Sequence, residues 1–169
     1  MNINIYVPSA IAIYSTGVIT SAYFIEYVLG YKPCELCVLQ RYPYFVIILS
    51  SILLMVHKNK LISVEISNFI LAKSYIIIAL ASLTGLSIAT YHYGIENSYW
   101  QNLTGCSDRL SNINLNTTDL LEGINTFEPN CSDPLMFFGV SLSGYNVISN
   151  IFILSITVLT FLKYKKKLQ

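Results

Sequence analysis

Residues Tyr75–Tyr93 read YIIIALASLTGLSIATYHY, nineteen residues without a lysine or an arginine. The hydrocarbon core of a bilayer is about 30 Å thick, and roughly 20 helical residues span it. Two further stretches of this kind are Val7–Gly30 and Tyr145–Leu162. A fourth stretch, Tyr42–Val56, is shorter and reaches spanning length if its helix begins back near Cys37. The sequence therefore predicts an all-α membrane protein built as a four-helix bundle.

The composition agrees with a chain that lies mostly in lipid. Of its 169 residues, 54% are hydrophobic and 11% are charged, whereas a soluble domain carries about a quarter charged residues. Many of the thirteen tyrosines lie near the ends of the apolar stretches, which is typical of aromatic belts at membrane interfaces. We expect one membrane domain over residues 1–169, with helices at about 7–30, 37–56, 75–93 and 145–162.

The basic residues predict the orientation of the chain. Seven of the ten follow the second and fourth helices: Lys58, Lys60, Lys73, Lys163, Lys165, Lys166 and Lys167. Because basic loops stay in the cytoplasm, we expect both termini there, in a bacterial inner (plasma) membrane. No basic residue precedes the first apolar stretch, which is also long for a signal peptide, so we expect it to remain in the mature chain.

All four cysteines then lie on the outer, periplasmic side, where disulfides persist. They are Cys34, Cys37, Cys106 and Cys131. The first outer loop is short, and the second runs from about 94 to 144 with a polar, irregular middle. Its apolar end, Leu135–Phe138, predicts a segment in the membrane interface or a lead-in to the fourth helix.

The stretch KPCELCVLQRYP, residues 32–43, carries the first cysteine pair. Pro33 suits the first turn of a helix, and Cys34, Cys37 and Arg41 then share one helix face at 100° per residue. The positive helix end and the guanidinium favour a reactive thiolate at Cys37. Pro43 removes the backbone hydrogen bond to residue 39 and predicts a kink.

Three roles are open for this pair: a static staple, half of a zinc site, or redox chemistry. A staple within one helical turn constrains almost nothing, and zinc asks for two further ligands at suitable spacing, so redox chemistry is favoured. Arg41 is costly near hydrocarbon. It either snorkels to the interface or donates hydrogen bonds to the carbonyl oxygen of a quinone.

The second pair would close a 26-residue loop, and a structural disulfide there contributes roughly 3.5 kcal/mol in the chain-entropy model. The polar, mobile character of the loop instead favours a labile bridge open to an external thiolate. No G-x-G-x-x-G motif for a dinucleotide occurs. His57 and His92 lie near opposite membrane faces and cannot hold one haem. A lipid-soluble quinone needs no large binding domain, which makes it the expected electron acceptor.

The third helix carries small residues at a spacing of four, Ala81, Gly85 and Ala89, which lets transmembrane helices pack closely. His92 follows on the same face near the outer end. It is predicted either to contact the quinone or to be an ordinary interfacial histidine. Glu96, one turn on, is a candidate neighbour of His92, although we expect it to be a solvated loop acid. Glu26 near the end of the first helix either snorkels out or, as a weaker candidate than His92, lines the same pocket.

Together, PCELCVLQRYPYF, GLSIATYHYGIE and the two loop cysteines resemble the DsbB family, membrane oxidoreductases that reoxidise the periplasmic thiol oxidase DsbA with quinone. The resemblance implies that Cys106–Cys131 accepts electrons from a DsbA-like partner through Cys106, and that Cys131 attacks Cys34. It further implies that Cys37 contacts the quinone, ubiquinone or menaquinone, with Arg41 and His92 nearby. Gln40 fits one branch of the family, and other members carry glutamate there.

Two other classes of protein stay open. The chain is alternatively a non-catalytic membrane protein whose outer loop holds a structural disulfide, or a zinc-binding membrane protein. The expected partners are the lipid bilayer and the DsbA-like oxidase, with neither a nucleic acid nor a bound metal.

Overall fold

The computed structural model of the protein describes residues 6–58, 68–101, 131–132 and 134–166. Its elements are α1 (Tyr6–Tyr27), α2 (Glu35–Leu39), α3 (Arg41–Lys58), α4 (Asn68–Glu96), the strands β1 (Met136–Phe137) and β2 (Val140–Ser141), and α5 (Leu142–Lys166). Four stretches are long and apolar enough to cross a membrane: α1, α2 together with α3, α4, and α5. The predicted all-α fold with four transmembrane helices is confirmed, and the protein is a multi-pass membrane protein. The extent of the domain over residues 1–169 stays a prediction.

The helix ends differ from the predicted ones for local reasons. Helix α1 ends at Tyr27 rather than at Gly30, because the chain turns there. Gly30 has φ of 75°, and the amides of Val28 and Leu29 both bond to the carbonyl of Phe24 at 2.9 and 3.2 Å. Helices α4 and α5 extend beyond the apolar stretches, since an apolar run marks the lipid core and the helix continues into polar residues.

The second span is interrupted near the proline that predicted a kink. Pro43 has no amide hydrogen to bond the carbonyl of Leu39, and the break between α2 and α3 falls at Gln40. Gln40 keeps helical angles, φ −65° and ψ −15°, and its amide bonds to the carbonyl of Leu36 at 3.0 Å. The two helices therefore form one membrane span with Gln40 at the discontinuity.

The bundle is arranged around α4, which packs against both α3 and α5, while α1 packs against α3. The hydrophobic core lies between these helices and includes Tyr44, Ile47, Ile78 and Ile153, each at most 1% exposed. Large apolar side chains cover the outer surface instead, for example Leu53, Leu80, Leu83, Ile148 and Leu159. Helices that are apolar on all sides are typical of membrane spans.

Small and polar residues fill much of the interior. Ser82 and Ala89 of α4 and Asn150 of α5 are fully buried. Gly85 allows the two helices to approach, since a Cβ atom built on it would lie 2.5 Å from Asn150 Oδ1. The small residues of α4 therefore pack against a neighbouring helix, as their spacing predicts.

A tight hairpin precedes α5 where the sequence predicts an interfacial segment or a helical lead-in. Met136 pairs with Ser141 and Phe137 with Val140. The two turn residues, Phe138 and Gly139, both have positive φ, 49° and 83°, as in a type I′ turn. A helical lead-in is therefore wrong for these residues. Phe138 is fully exposed, and its location in the membrane interface stays a prediction.

We predict that Gly85→Ala destabilises the bundle by roughly 1–3 kcal/mol, the usual cost of overpacking. The added methyl group would displace Asn150, whose side chain is buried and hydrogen-bonded to Tyr44 OH at 3.2 Å. Thermal unfolding in detergent checks this. Gly17→Ala is the matched control, because a Cβ on Gly17 meets nothing within 4 Å. Equal midpoints for the two variants would contradict the predicted close packing.

Candidate active site

The first turn of α2 brings the first cysteine pair together. Cys34 is the N-cap residue, with φ −73° and ψ 167°, and its sulfur accepts a hydrogen bond from the amide of Cys37 at 3.3 Å. The two Sγ atoms lie 2.8 Å apart and both cysteines are free. A disulfide has an S–S bond of about 2.05 Å, so this pair needs only a small movement to close.

The two sulfurs face different surroundings. Cys37 lines a cleft of about 510 Å³ that opens between α1, the second span and α5. Cys34 is 6% exposed and does not line that cleft. It packs in a buried cluster with Leu36, Ile95 and Cys131. Cys37 packs against this cluster as well. Of the two cysteines, only Cys37 lines the cleft.

Arg41 lines the same cleft as Cys37. Its Nη1 atom forms an ion pair with Glu26 Oε2 at 2.6 Å, and its guanidinium lies over the Tyr23 ring, 4.8 Å from the centroid. Arg41 lies within the second apolar span, and pairing lowers the cost of a charge there. Glu26, the weaker sequence candidate, lines the cleft as well.

His92 lies behind the cysteine pair rather than at the cleft. Its imidazole is buried at 3% exposure. Its Nε2 atom is 3.6 Å from Cys34 Sγ and 3.5 Å from Glu96 Oε1, and its Nδ1 atom is 2.9 Å from Gln40 Nε2. Glu96 is buried beside His92 at 4% exposure, so the expectation of a solvated loop acid is wrong. The contact between His92 and a quinone stays a prediction.

The groups that stabilise a thiolate converge on Cys34 and not, as the helix spacing predicts, on Cys37. A hydrogen bond from the Cys37 thiol is the largest cause that lowers the pKa of Cys34 to about 5, against burial, which raises it. The His92 side chain and the Cys37 amide lower this pKa further. Arg41, which is paired with Glu26, is not among the groups that lower this pKa. In the reduced pair, Cys34 therefore carries the negative charge.

The second pair is described only at Cys131. This residue is 1% exposed, forms a disulfide, and packs beside Cys34. Its backbone also hydrogen-bonds to His92. Cys106 lies outside the described residues, so its pairing with Cys131 stays a prediction. The buried cluster nevertheless brings one outer-loop cysteine to the inner pair.

Four polar residues that the sequence does not single out as site residues connect His92 to α5 by hydrogen bonds: Gln40, Tyr44, Asn146 and Asn150. The Asn146 amide donates to Gln40 Oε1, and Tyr44 OH donates to Asn146 Oδ1. A signal for this network exists in the sequence. Asn146 and Asn150 are asparagines one helical turn apart in an apolar stretch, and such residues rarely face lipid.

A metal ion is the alternative occupant of the thiol site. Potential ligand atoms of Cys34, Cys37 and His92 lie within 4.8 Å of one another. Structural zinc sites close with four protein ligands, and the described residues add no fourth member to this group. The arrangement fits a dithiol with a histidine neighbour better than a closed zinc site.

Comparisons with known proteins agree with this description. The family model for "Disulfide bond formation protein DsbB" matches residues 6–160, which confirms the predicted resemblance. Uncharacterized protein RP370 of Rickettsia prowazekii (strain Madrid E) is 27% identical over 139 residues, covering 80% of this chain and 75% of the relative. No solved structure matches the chain.

We predict that Cys34 in the reduced protein reacts with iodoacetamide well below neutral pH. Alkylation requires the thiolate. Because the pKa is lowered to about 5 from 9.0, the rate should stay high from pH 8 to pH 6 and fall as the pH drops through about 5. Mass spectrometry of the Cys34 peptide gives the rate at each pH. A midpoint near 9 would contradict the thiolate assignment, and the denatured protein supplies that reference value.

Proposed function

Because the chain belongs to the DsbB family of disulfide bond formation proteins, we propose that it reoxidises a DsbA-like periplasmic thiol oxidase and passes the electrons to a membrane quinone. Family membership indicates a thiol–disulfide oxidoreductase in a membrane. The partner and the acceptor are the proposal. The observation that carries it is that Cys37 lines the cleft, whereas Cys34 does not line it and belongs to the buried cluster that contains Cys131.

The first half of the proposed reaction is thiol–disulfide exchange with the partner. A thiolate of the reduced partner attacks Cys106, the Cys106–Cys131 bond breaks, and Cys131 receives the electron pair. The second partner thiolate then displaces Cys106, which leaves the partner oxidised and the outer pair reduced. Exchange of this kind conserves electrons and needs no further reagent.

The second half moves the electron pair to the inner cysteines. The Cys131 thiolate attacks Cys34, the Cys34–Cys37 bond breaks, and Cys37 receives the electron pair. The packing of buried Cys131 against Cys34 supports this order of attack. Cys106 then attacks Cys131, the outer disulfide re-forms, and Cys34 leaves as a thiolate. The inner pair is then a dithiol.

The cleft at Cys37 fits a quinone. Apolar residues line much of it, among them Val18, Ile19, Ala22, Ile25 and Leu135. Arg41 is positioned to donate hydrogen bonds to a carbonyl oxygen, and Glu26 holds its guanidinium in place. A bound quinone would supply the oxidant, which takes up two electrons and two protons. The chain itself supplies the reductant, the Cys34–Cys37 dithiol.

The redox scale supports the direction of flow. DsbA-like proteins are strong oxidants at about −120 mV, and each 30 mV corresponds to about 1.4 kcal/mol for two electrons. A more oxidising acceptor must therefore keep them oxidised, which favours a quinone coupled to respiration over a nicotinamide.

We place the cysteine end of the bundle in the periplasm and both termini in the cytoplasm of a bacterial inner membrane. Three lysines in the last turn of α5, Lys163, Lys165 and Lys166, support this orientation. A periplasmic location supplies the oxidising compartment that the proposed activity requires.

We predict that Cys37→Ala abolishes quinone-dependent oxidation of the partner, because the inner disulfide can no longer form. The assay mixes purified protein, a reduced DsbA-like protein and a quinone, and follows loss of thiols. Ser87→Ala is the matched control, since Ser87 is exposed on α4 and bonds only within its own helix. Retained turnover in Cys37→Ala would contradict the relay through Cys37. No turnover in the unchanged protein would favour the alternative of a non-catalytic protein with a structural disulfide. Zinc in the purified protein, by metal analysis, would favour the other alternative.

We further predict that Arg41→Gln raises the KM for quinone roughly tenfold or more, because a hydrogen bond from a charged donor contributes about 1.5–3 kcal/mol. Glu26→Gln keeps the shape of the cleft and leaves Arg41 in place, so its effect should be smaller. Steady-state kinetics with varied quinone compare the two variants. Equal KM values for Arg41→Gln and the unchanged protein would contradict a role for Arg41 in binding the quinone.

A further inference from the structure

Gln40 orients the His92 imidazole through an ordered set of hydrogen bonds. It is 5% exposed. Asn150 Nδ2 donates to Asn146 Oδ1 at 3.1 Å, and Tyr44 OH donates to the same oxygen. The Asn146 amide nitrogen therefore faces Gln40 Oε1 and donates to it. This leaves Gln40 Nε2 to donate to His92 Nδ1 at 2.9 Å.

This direction fixes the tautomer of the histidine. A neutral imidazole carries one N–H and one lone pair. Because Nδ1 accepts from Gln40, the proton is on Nε2, the atom that lies 3.6 Å from Cys34 Sγ. The other tautomer would present a lone pair to the sulfur and would repel a thiolate.

Glu96 gives the same N–H a second acceptor. Its carboxyl group is 4% exposed, and Oε1 lies 3.5 Å from His92 Nε2. The other oxygen accepts from Ser143 Oγ, which holds the carboxyl group in place. When Cys34 is in a disulfide, its sulfur is a weak acceptor, and Glu96 keeps the buried N–H paired. When Cys34 is a thiolate, the N–H forms a charge-assisted hydrogen bond to sulfur.

We propose that Gln40 and Glu96 are positioning residues that hold the His92 Nε2–H toward Cys34, and so set how readily Cys34 receives the electron pair of a breaking disulfide. The inference deepens the proposed function and rests on its assignment of Cys34 and Cys37 as an exchanging pair. In this role His92 acts on Cys34 and does not line the cleft.

The step concerned is the departure of Cys34 from its mixed disulfide with Cys131. Cys106 attacks Cys131, the Cys34–Cys131 bond breaks, and both electrons of that bond go to the Cys34 sulfur. A hydrogen bond from Nε2–H stabilises the charge that forms there, and a more stable thiolate leaves faster. The same stabilisation makes the Cys34–Cys37 disulfide easier to reduce, and this is measurable without partner or quinone.

The test is the glutathione redox equilibrium of the full-length protein in quinone-free detergent, with each cysteine pair followed by alkylation and mass spectrometry. The methionine of Gln40→Met cannot donate to His92 Nδ1, so the imidazole can carry its proton on either nitrogen. The equilibrium constant for reduction of Cys34–Cys37 should then fall roughly tenfold. The carboxylate of Gln40→Glu accepts a hydrogen bond from Nδ1–H and favours the imidazolium, which stabilises the Cys34 thiolate. The equilibrium constant for reduction should therefore rise. Opposite shifts are not expected from mere loosening of the fold.

The His92→Gln background tests whether Gln40 acts through the imidazole. The glutamine side chain retains an N–H near Cys34 but has no tautomer to set, so both Gln40 substitutions should lose their effect there. The inference is overturned if the two variants shift the equilibrium in the same direction, if neither shifts it, or if the shifts persist in His92→Gln. The equilibrium is measured without quinone or partner, and turnover is measured separately with both. If one of these results is found while quinone-linked turnover is intact, only this inference is contradicted. Opposite shifts without turnover would instead contradict the proposed function.

Discussion

The structure depends on where the second membrane span begins. Cys34 caps α2, and its sulfur accepts the amide of Cys37 one turn into the helix. An N-cap residue lies outside the helix proper, whereas the residue three positions on lies within it. Cys37 lines the cleft between the helices, and Cys34 belongs to the buried cluster of Cys131.

The polar interior of the bundle follows from the same placement. A thiolate, a histidine, an arginine and two carboxyl groups near lipid are each costly unless they are paired. Arg41 pairs with Glu26, and His92 contacts Cys34, Glu96 and Gln40. The asparagines of α5 extend this network between the helices, where Gly85 leaves room for Asn150. The small residues of α4 thus serve the site as well as the packing.

The sequence predicts the four spans because an uninterrupted stretch of about twenty apolar residues is typical of a transmembrane helix. It also predicts the closeness of Cys34 and Cys37, since one helical turn fixes that separation. It does not predict which sulfur holds the charge, because that depends on His92 of α4 reaching Cys34. Such contacts join residues far apart in the chain. The Gln40–Asn146 contact is of this kind, as its partners are separated by more than a hundred positions.

The central claim is that Cys37, and not Cys34, faces the electron acceptor. The most direct measurement is the visible spectrum of the purified protein with bound quinone, recorded while Cys34 is held in a mixed disulfide. A thiolate next to a quinone is expected to give a charge-transfer band. A band is expected in the protein with Cys37 intact and none in Cys37→Ser. A band that survives in Cys37→Ser would contradict the claim that Cys37 faces the electron acceptor.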